Sequence, residues 1–382
     1  AKVVRNKLER GSVAVYIHRP TKGYPTDVDR IVSDDGYGAN PFIETTRPLV
    51  VVTGPGPGSG KLATSLSQVY HEHERGSRAG YAKFETFPIW NLPLKHPVNV
   101  AYEAATVDIG DYNELDAFHL EAYDERAVNY NRDMEAFPVV ACILARIIDD
   151  SDVYKSPTDM AVNRAGSGIV DDAVVQKAAR EEIIRRYFRA TCEYAMGVTE
   201  KETVHRAERI MREMGLDPTQ RVVVQPARDA AAEAEKRKKG NQGIYCGAAL
   251  RLPDGTIVTG KNSPLMHAAS SLILNTIKHL AKIPDQIHLL SPNIIESIGN
   301  LKTDVLNRKS ISLDLDETLI ALSISATTNP AAKLALEKLK EIGHSEVHIS
   351  HIPSDGDEAG LRRLGVNLTS DPTFSSKNLF IT

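Results

Sequence analysis

Cysteine is scarce in this chain, charge of one sign is not in excess, and long hydrophobic runs are missing. The 382 residues include three cysteines, Cys142, Cys192 and Cys246. They are odd in number and far apart, so they frame neither a disulfide scaffold nor a zinc ribbon. A reduced, cytoplasmic setting is expected. Basic side chains number 46 against 50 acidic ones, for a net charge of −4. No basic excess therefore points to a nucleic-acid partner. The most apolar window, FPVVACILARII, is twelve residues long and contains Arg146. It is too short and too polar to span a bilayer, so no membrane partner is expected. The start, AKVVRNKLERGS, lacks the apolar core of a signal peptide. It begins with Ala rather than Met, as a chain that starts inside a longer natural protein would. What remains is ordinary globular composition, 42% hydrophobic and 25% charged, with length for two or three domains.

Three segments emerge along the chain. In residues 1–137, Val13–Ile17 and Pro48–Thr53 read as short buried strands, and 61–75 reads as a helix. A strand, a glycine loop and a helix in that order predict an α/β domain with a parallel sheet, P-loop-like in outline. Residues 138–235 read as a helical domain. The apolar run 137–149 begins it, DDAVVQKAAREEIIRRYFRATCEYAMG has a capping Asp at its start and Gly197 at its end, and KETVHRAERIMREMG closes at Gly215. The alanine-rich, charged stretch 225–243 reads as an exposed helix or a linker, and a boundary is placed there. Residues 236–382 read as a C-terminal α/β domain. IYCGAALRL and TIVTGKN flank Pro253-Asp254-Gly255, a good hairpin turn. An amphipathic helix, further helices and a strand, EVHISHI, follow.

The strongest chemical signal is VVVTGPGPGSGKLATSLSQVYHE, residues 50–72. Amides at a helix start are unpaired and carry partial positive charge. Glycines let the chain wrap around a phosphate, and a lysine adds a full charge. Gly54, Gly56, Gly58, Ser59, Gly60, Lys61 and Thr64 are the candidate phosphate-binding residues. The match to G-x-x-x-x-G-K-[ST] is imperfect. Pro55 stands where the first glycine belongs, and Leu62 stands where a hydroxyl would hold Mg²⁺. No strand ends in a convincing magnesium-binding Asp. The alternative is a structural turn with a surface lysine.

IVSDDGYGANPFIETTRPLVVVTGPGPGSGK, GYAKFETFPIWNLPLKHPVNVAYEAAT, YKSPTDM and GKNSPLMHAAS together resemble a large bacterial family of unknown function, over essentially the whole chain. The resemblance implies an additional N-terminal segment that this chain lacks, and so an incomplete first domain. It implies no established activity. Labels such as ATP-dependent peptidase carry no site with them, and neither a protease triad nor H-E-x-x-H is found here.

Other candidates are weaker. SISLDLDETLI, residues 310–320, imitates a haloacid-dehalogenase signature with Asp314 as nucleophile and Asp316 as acid/base, which would make a Mg²⁺-dependent phosphatase. Too little chain follows to complete that fold; an acidic helix start is the alternative. The C-terminal domain resembles the cytidine-deaminase fold in outline. Its helix opens on His267-Ala268-Ala269, not H-x-E, and no cysteine pair follows, so the zinc chemistry is absent. Lys261, Asn262, Ser263 and His267 are candidates there for an anionic substrate, against a capped helix with a satisfied histidine. In the HEHE stretch, His71 and His73 point to different helix faces and read as solvated. The irregular region supplies Lys83, Glu85, Trp90, Lys95, His96, His119, Glu121, Asn129, Asn131 and Arg132, either lining a site or packing as buried loops. Lys155, Thr158, Asp159 and Asn163 carry the same two readings.

Taken together, these residues describe an α/β protein that holds a phosphorylated small molecule or a nucleotide at residues 54–61, with the polar residues above completing a cleft between domains. Phosphoryl transfer, other chemistry on a phosphorylated substrate, and non-catalytic binding in a homo-oligomer all stay open. No cofactor is assigned; a nucleotide or Mg²⁺ are the candidates.

Overall fold

The computed structural model describes residues 2–56, 58–84, 88–150, 152–160 and 165–375. Glu85 and Asn163 lie outside these described residues. The chain divides into two units, Ala1–Gln176 and Lys177–Thr382.

The first unit is mainly helical. Its elements are α1 (Lys2–Arg10), α2 (Val28–Ile31), α3 (Lys61–Glu74), α4 (Pro97–Ala105), β1 (Asn113–Leu115), α5 (Ala117–Tyr123), β2 (Val128–Tyr130), α6 (Asn131–Ile148) and α7 (Pro157–Met160). Its one sheet among the described residues is the antiparallel pair β1–β2, with Glu114 opposite Asn129. Neither strand expected at Val13–Ile17 and Pro48–Thr53 forms. Those segments have no regular secondary structure, with Ile17 59% and Val51 80% exposed. Apolar runs promise burial only when a neighbouring strand satisfies their backbone groups, and none does so among the described residues. The expected parallel sheet is therefore not seen in this unit. Its core forms instead where Leu66, Val69 and Tyr70 of α3 meet Phe137, Val140, Ile143 and Leu144 of α6, with Ile31, Tyr37 and Met160. The spacing of the α3 residues puts them on one helix face.

The second unit is a mixed α/β fold. The chain runs through α8 (Asp172–Ala195, which begins in the first unit), α9 (Lys201–Glu213), α10 (Val224–Lys236), β3 (Gly247–Arg251), β4 (Ile257–Lys261), α11 (Ala268–Leu280), α12 (Pro292–Asn300), α13 (Leu315–Ser325), α14 (Pro330–Glu337), β5 (Glu346–Ile349), α15 (Asp355–Arg363) and β6 (Asn367–Ser370). The sheet order is β4-β3-β5-β6. The hairpin β3–β4 pairs antiparallel with Gly247 opposite Lys261, β3–β5 is antiparallel, and β5–β6 is parallel.

Both faces of this sheet are covered. Ala248, Leu250, Val347 and Ile349 point into the main core with Leu272, Ile273, Leu315 and Leu361. Ala249 points the other way, against Val223 and Ala227. This alternation is the period of a strand buried on both sides. Residues 225–243, read as an exposed helix or linker, contain most of α10, which packs on that second face with Ala227 and Ala234 fully buried. Small side chains let a helix lie close to a sheet, so an alanine-rich helix can be core without looking hydrophobic. The boundary expected at 235/236 falls inside α10, and the helices of 138–235 are shared between the two units.

No helix among the described residues is long and apolar enough to cross a membrane.

Candidate functional site

The glycine loop ends where α3 begins. Packing of Leu66, Val69 and Tyr70 against α6 fixes that helix, and Leu62 continues the same buried stripe one turn earlier. The residue that would carry a magnesium-holding hydroxyl is thus turned toward the core. Gly60 precedes the helix in the left-handed conformation, φ +86°, and supplies no side-chain cap. Any other residue type would be strained there. At Gly54 a β-carbon would come within 2.5 Å of Ser59 Oγ, so the Ser59 side chain would have to turn away to admit one.

The space above Gly56, Gly58 and Gly60 is open, with no atom within 4 Å of where a β-carbon would stand. Two loop amides are engaged. Ser59 N–H donates to Gly56 O at 3.4 Å, and Thr64 N–H closes the first helical turn on Gly60 O at 2.9 Å. The amides of Lys61, Leu62 and Ala63 have no acceptor among the described residues. Lys61 Nζ reaches Gly56 O at 3.3 Å and makes no ion pair among them. Ser65 Oγ bonds back to Lys61 O at 2.9 Å, so it does not face the loop. The bend therefore presents free donors, an exposed ammonium and room. It follows a segment without regular secondary structure instead of the expected strand.

The polar residues of the irregular region are mostly committed to their own unit. Lys83 pairs with Asp133 at 2.5 Å and bonds the Tyr130 hydroxyl. Arg132 donates to the buried Asp111 at 2.6 Å, and this bond raises the guanidinium pKa further. Asn131 accepts from the Tyr112 amide at 3.1 Å. His96 caps α4, accepting from Val98 N–H, and its Nε2 meets Asp172 at 2.9 Å. Lys95 is exposed, and the carbonyl of Trp90 accepts from Val128 N–H.

His119, Thr158 and Asn129 belong to one buried knot. Asp116 takes both the amide and the hydroxyl of Thr158, and His119 Nδ1 meets Ser156 Oγ at 2.9 Å. Asp159 accepts from the amides of Lys155 and Ser156, so this group caps a turn. Buried loop packing is what these bonds describe. His71 and His73, read as solvated, bond the carbonyls of Asn40 and Ala79, each at 2.8 Å, and tie α3 to two loops.

In the second unit, three of the four candidates at the hairpin are structural. Lys261 pairs with Glu233 on α10 at 2.8 Å. Asn262 is buried and bonds Cys246 N–H and Ile244 O, both at 2.8 Å. Ser263 Oγ accepts from the amides of Leu265 and Met266 in a turn. His267 differs, because its Nδ1 meets Asp357 Oδ2 at 2.7 Å.

Asp314 and Asp316 do not follow an apolar strand, as the phosphatase signature requires. Leu313 makes a single bridge to Met266, and Asp314 is the N-cap of α13 in a reciprocal capping box with Glu317. Asp316 pairs with Arg363 at 2.8 Å. The imitation is a helix start.

Burial pushes the Asp314 pKa up, helped by the charges of Glu317 and Asp357 against the Glu317 amide. Burial would lower His267, but the Asp357 bond and charge and the Asp314 charge outweigh it, and the net shift is upward. Asp357, Ser354 and His351 were missed at the sequence level. The string Ser354-Asp355-Gly356-Asp357 has the spacing of a helix start, and that was the available signal.

Residues 1–215 match a family described as "Domain of unknown function DUF1846, N-terminal", and residues 219–380 match "Domain of unknown function DUF1846, C-terminal". A UPF0371 protein of Clostridium tetani (strain Massachusetts / E88) is 55% identical over 375 residues, covering 98% of this chain and 74% of that relative. A UPF0371 protein of Clostridium botulinum (strain Alaska E43 / Type E3) is 56% identical with the same coverage.

Proposed function

The chain belongs to the DUF1846 family, and within it we propose that the first unit binds the phosphate group of a small molecule or nucleotide through residues 54–61. One observation carries this reading. The amides of Lys61, Leu62 and Ala63 meet no protein acceptor among the described residues, and a β-carbon added at Gly56, Gly58 or Gly60 in the adjoining loop would meet nothing within 4 Å, beside an exposed lysine. A phosphate oxygen there accepts from the helix start, aligned with its dipole. Lys61 exchanges its weak bond to Gly56 O for a charge-assisted one.

The same residues favour binding over turnover. Loop and first turn, Gly54 to Ser65, contain one ionisable side chain, Lys61, so this stretch itself supplies no carboxylate or imidazole for proton transfer. Leu62 faces the core where a metal-holding hydroxyl would stand. Any Mg²⁺ would arrive on a nucleotide ligand and not be gripped by this turn.

The test is titration calorimetry of the full chain with phosphorylated metabolites and nucleotides, chosen by a thermal-shift screen with and without Mg²⁺. Lys61→Ala removes a hydrogen bond to a charged group, about 1.5–3 kcal/mol, so affinity should fall roughly tenfold to a hundredfold. Equal affinity in the variant, or no binder in the screen, refutes the reading.

A further inference from the structure

Exposed aliphatic side chains of the first unit gather in the stretch before the glycine loop. Leu49, Val50, Val51 and Val52 are 80%, 46%, 80% and 37% exposed, four in a row. Val13 and Ile17 are 51% and 59% exposed, and α1 buries none of its residues. Single exposed aliphatics are ordinary on a protein surface, but an unbroken run is not. The backbone agrees with the side chains. The amides and carbonyls of residues 49–53 have no hydrogen-bond partner among the described residues.

A strand made of this run would not be an edge strand. Alternate side chains of a strand point to opposite faces, which puts Leu49 and Val51 on one face and Val50 and Val52 on the other. Apolar on both, the run has the pattern of a central strand in a sheet covered on each side. Edge strands are guarded by charge or proline, and residues 49–53 contain neither. The first unit holds no strand to pair with it among the described residues. Its one sheet there is β1–β2, and those two strands are three residues long and paired with each other.

The relatives supply the length for a cover. In the Clostridium tetani protein the 375 matched residues are 74% of the chain, so on the order of a hundred residues lie outside the match, enough for a small domain with strands of its own. We propose that Leu49–Val52 is an interior strand position of the first unit, completed by β-strands from the segment that UPF0371 chains carry outside the matched region. Val13–Ile17 belongs to the same seat. The partner that fits this face is thus a strand-bearing segment of the family itself. It pairs through main-chain hydrogen bonds and covers both sides of the run. The strand position stands whether or not the glycine loop takes a phosphate.

Hydrogen exchange read by mass spectrometry on this chain and on the full Clostridium tetani relative tests the assignment. In this chain the peptide over residues 49–53 should exchange at the rate of an unstructured peptide. In the relative the aligned peptide should exchange roughly a hundredfold more slowly, as a paired interior strand does. Equally fast exchange in both proteins overturns the proposal. So does protection already present in this chain, where growth with protein concentration identifies a second copy as the cover and independence of concentration identifies the second unit. Val51→Lys gives a further reading. It should leave the Tm of this chain unchanged, while the same change at the aligned position of the relative should lower its Tm by several degrees, because the charge then enters a buried strand. Equal effects in the two proteins overturn the proposal. Exchange is read on the unmodified proteins, so it stands even if the relative's variant misfolds.

Discussion

Removing Arg221 should destabilise the second unit more than any surface change. The side chain lies just before α10 and is 0% exposed. It donates to the Val347 carbonyl at 3.2 Å, the Asn367 carbonyl at 2.6 Å and Thr369 Oγ1 at 3.0 Å, and it pairs with Glu346 and, at 3.4 Å, Glu181. It therefore ties the parallel strands β5 and β6 together from one side. Arg221→Ala takes a donor from the Val347 carbonyl, which keeps the Thr369 hydroxyl at 3.2 Å, removes the donor to the Asn367 carbonyl, and deprives Glu346 of its nearest cation. Breaking a buried ion pair costs about 3–5 kcal/mol. Arg185 still reaches Glu346 at 3.2 Å, which puts the expectation at the lower end, about 3 kcal/mol. For a unit of roughly 200 residues that is a fall in Tm of about 6–12 °C. Differential scanning calorimetry of the full chain reads this directly. Arg221→Met combined with Glu346→Gln should recover part of the loss, since the second change removes the charge left unpaired. A single-variant loss below about 1 kcal/mol would refute the argument, because it would mean that water reaches the site and replaces the lost bonds.

Two further outcomes follow from titrating groups. Asp371 is pushed up by burial but held well below the usual carboxylate range by the His348 ring, 3.5 Å away, and by its bonds to Arg228. A depressed folded pKa contributes stability above the unfolded value, about pH 3.9, and that contribution is lost as pH falls through the folded value. Arg228→Ala should flatten the acid limb of the stability curve below about pH 4 in denaturant titrations at a series of pH values; an unchanged limb would count against the assignment. Burial pushes the Cys246 thiol up to about 12 and raises Cys192, while Cys142 is exposed. A thiol reagent near neutral pH should modify Cys142 quickly and the other two only on unfolding; fast labelling of Cys246 would show that the strand end opens.

Local pattern made some elements legible and hid others. The turn Pro253-Asp254-Gly255 and its flanking alternation gave β3–β4, and Gly197 and Gly215, both at positive φ, closed α8 and α9. Those signals are short-range. Pro48–Thr53 reads as a strand because an apolar run looks the same paired or unpaired, and pairing is a property of the neighbour. Residues 225–243 read as an exposed helix or a linker because alanine buries little area per residue and charge dominates the average, although Ala227, Ala230 and Ala234 keep a helical spacing and are buried. The candidate sites divide along the same line. Gly54–Lys61 is contiguous and could be seen. The His267–Asp357 contact spans 90 residues, and nothing in either local string announces the other.

Leu62 has a consequence for what this loop could become. A helix advances about 100° per residue, so the inward bearing of Leu62 is locked to that of Leu66, Val69 and Tyr70. A serine placed there would aim its hydroxyl into hydrocarbon, and turning it outward would drag three core side chains toward water. Gaining a divalent-cation grip at this turn therefore means repacking the seam against α6, a change no single substitution delivers.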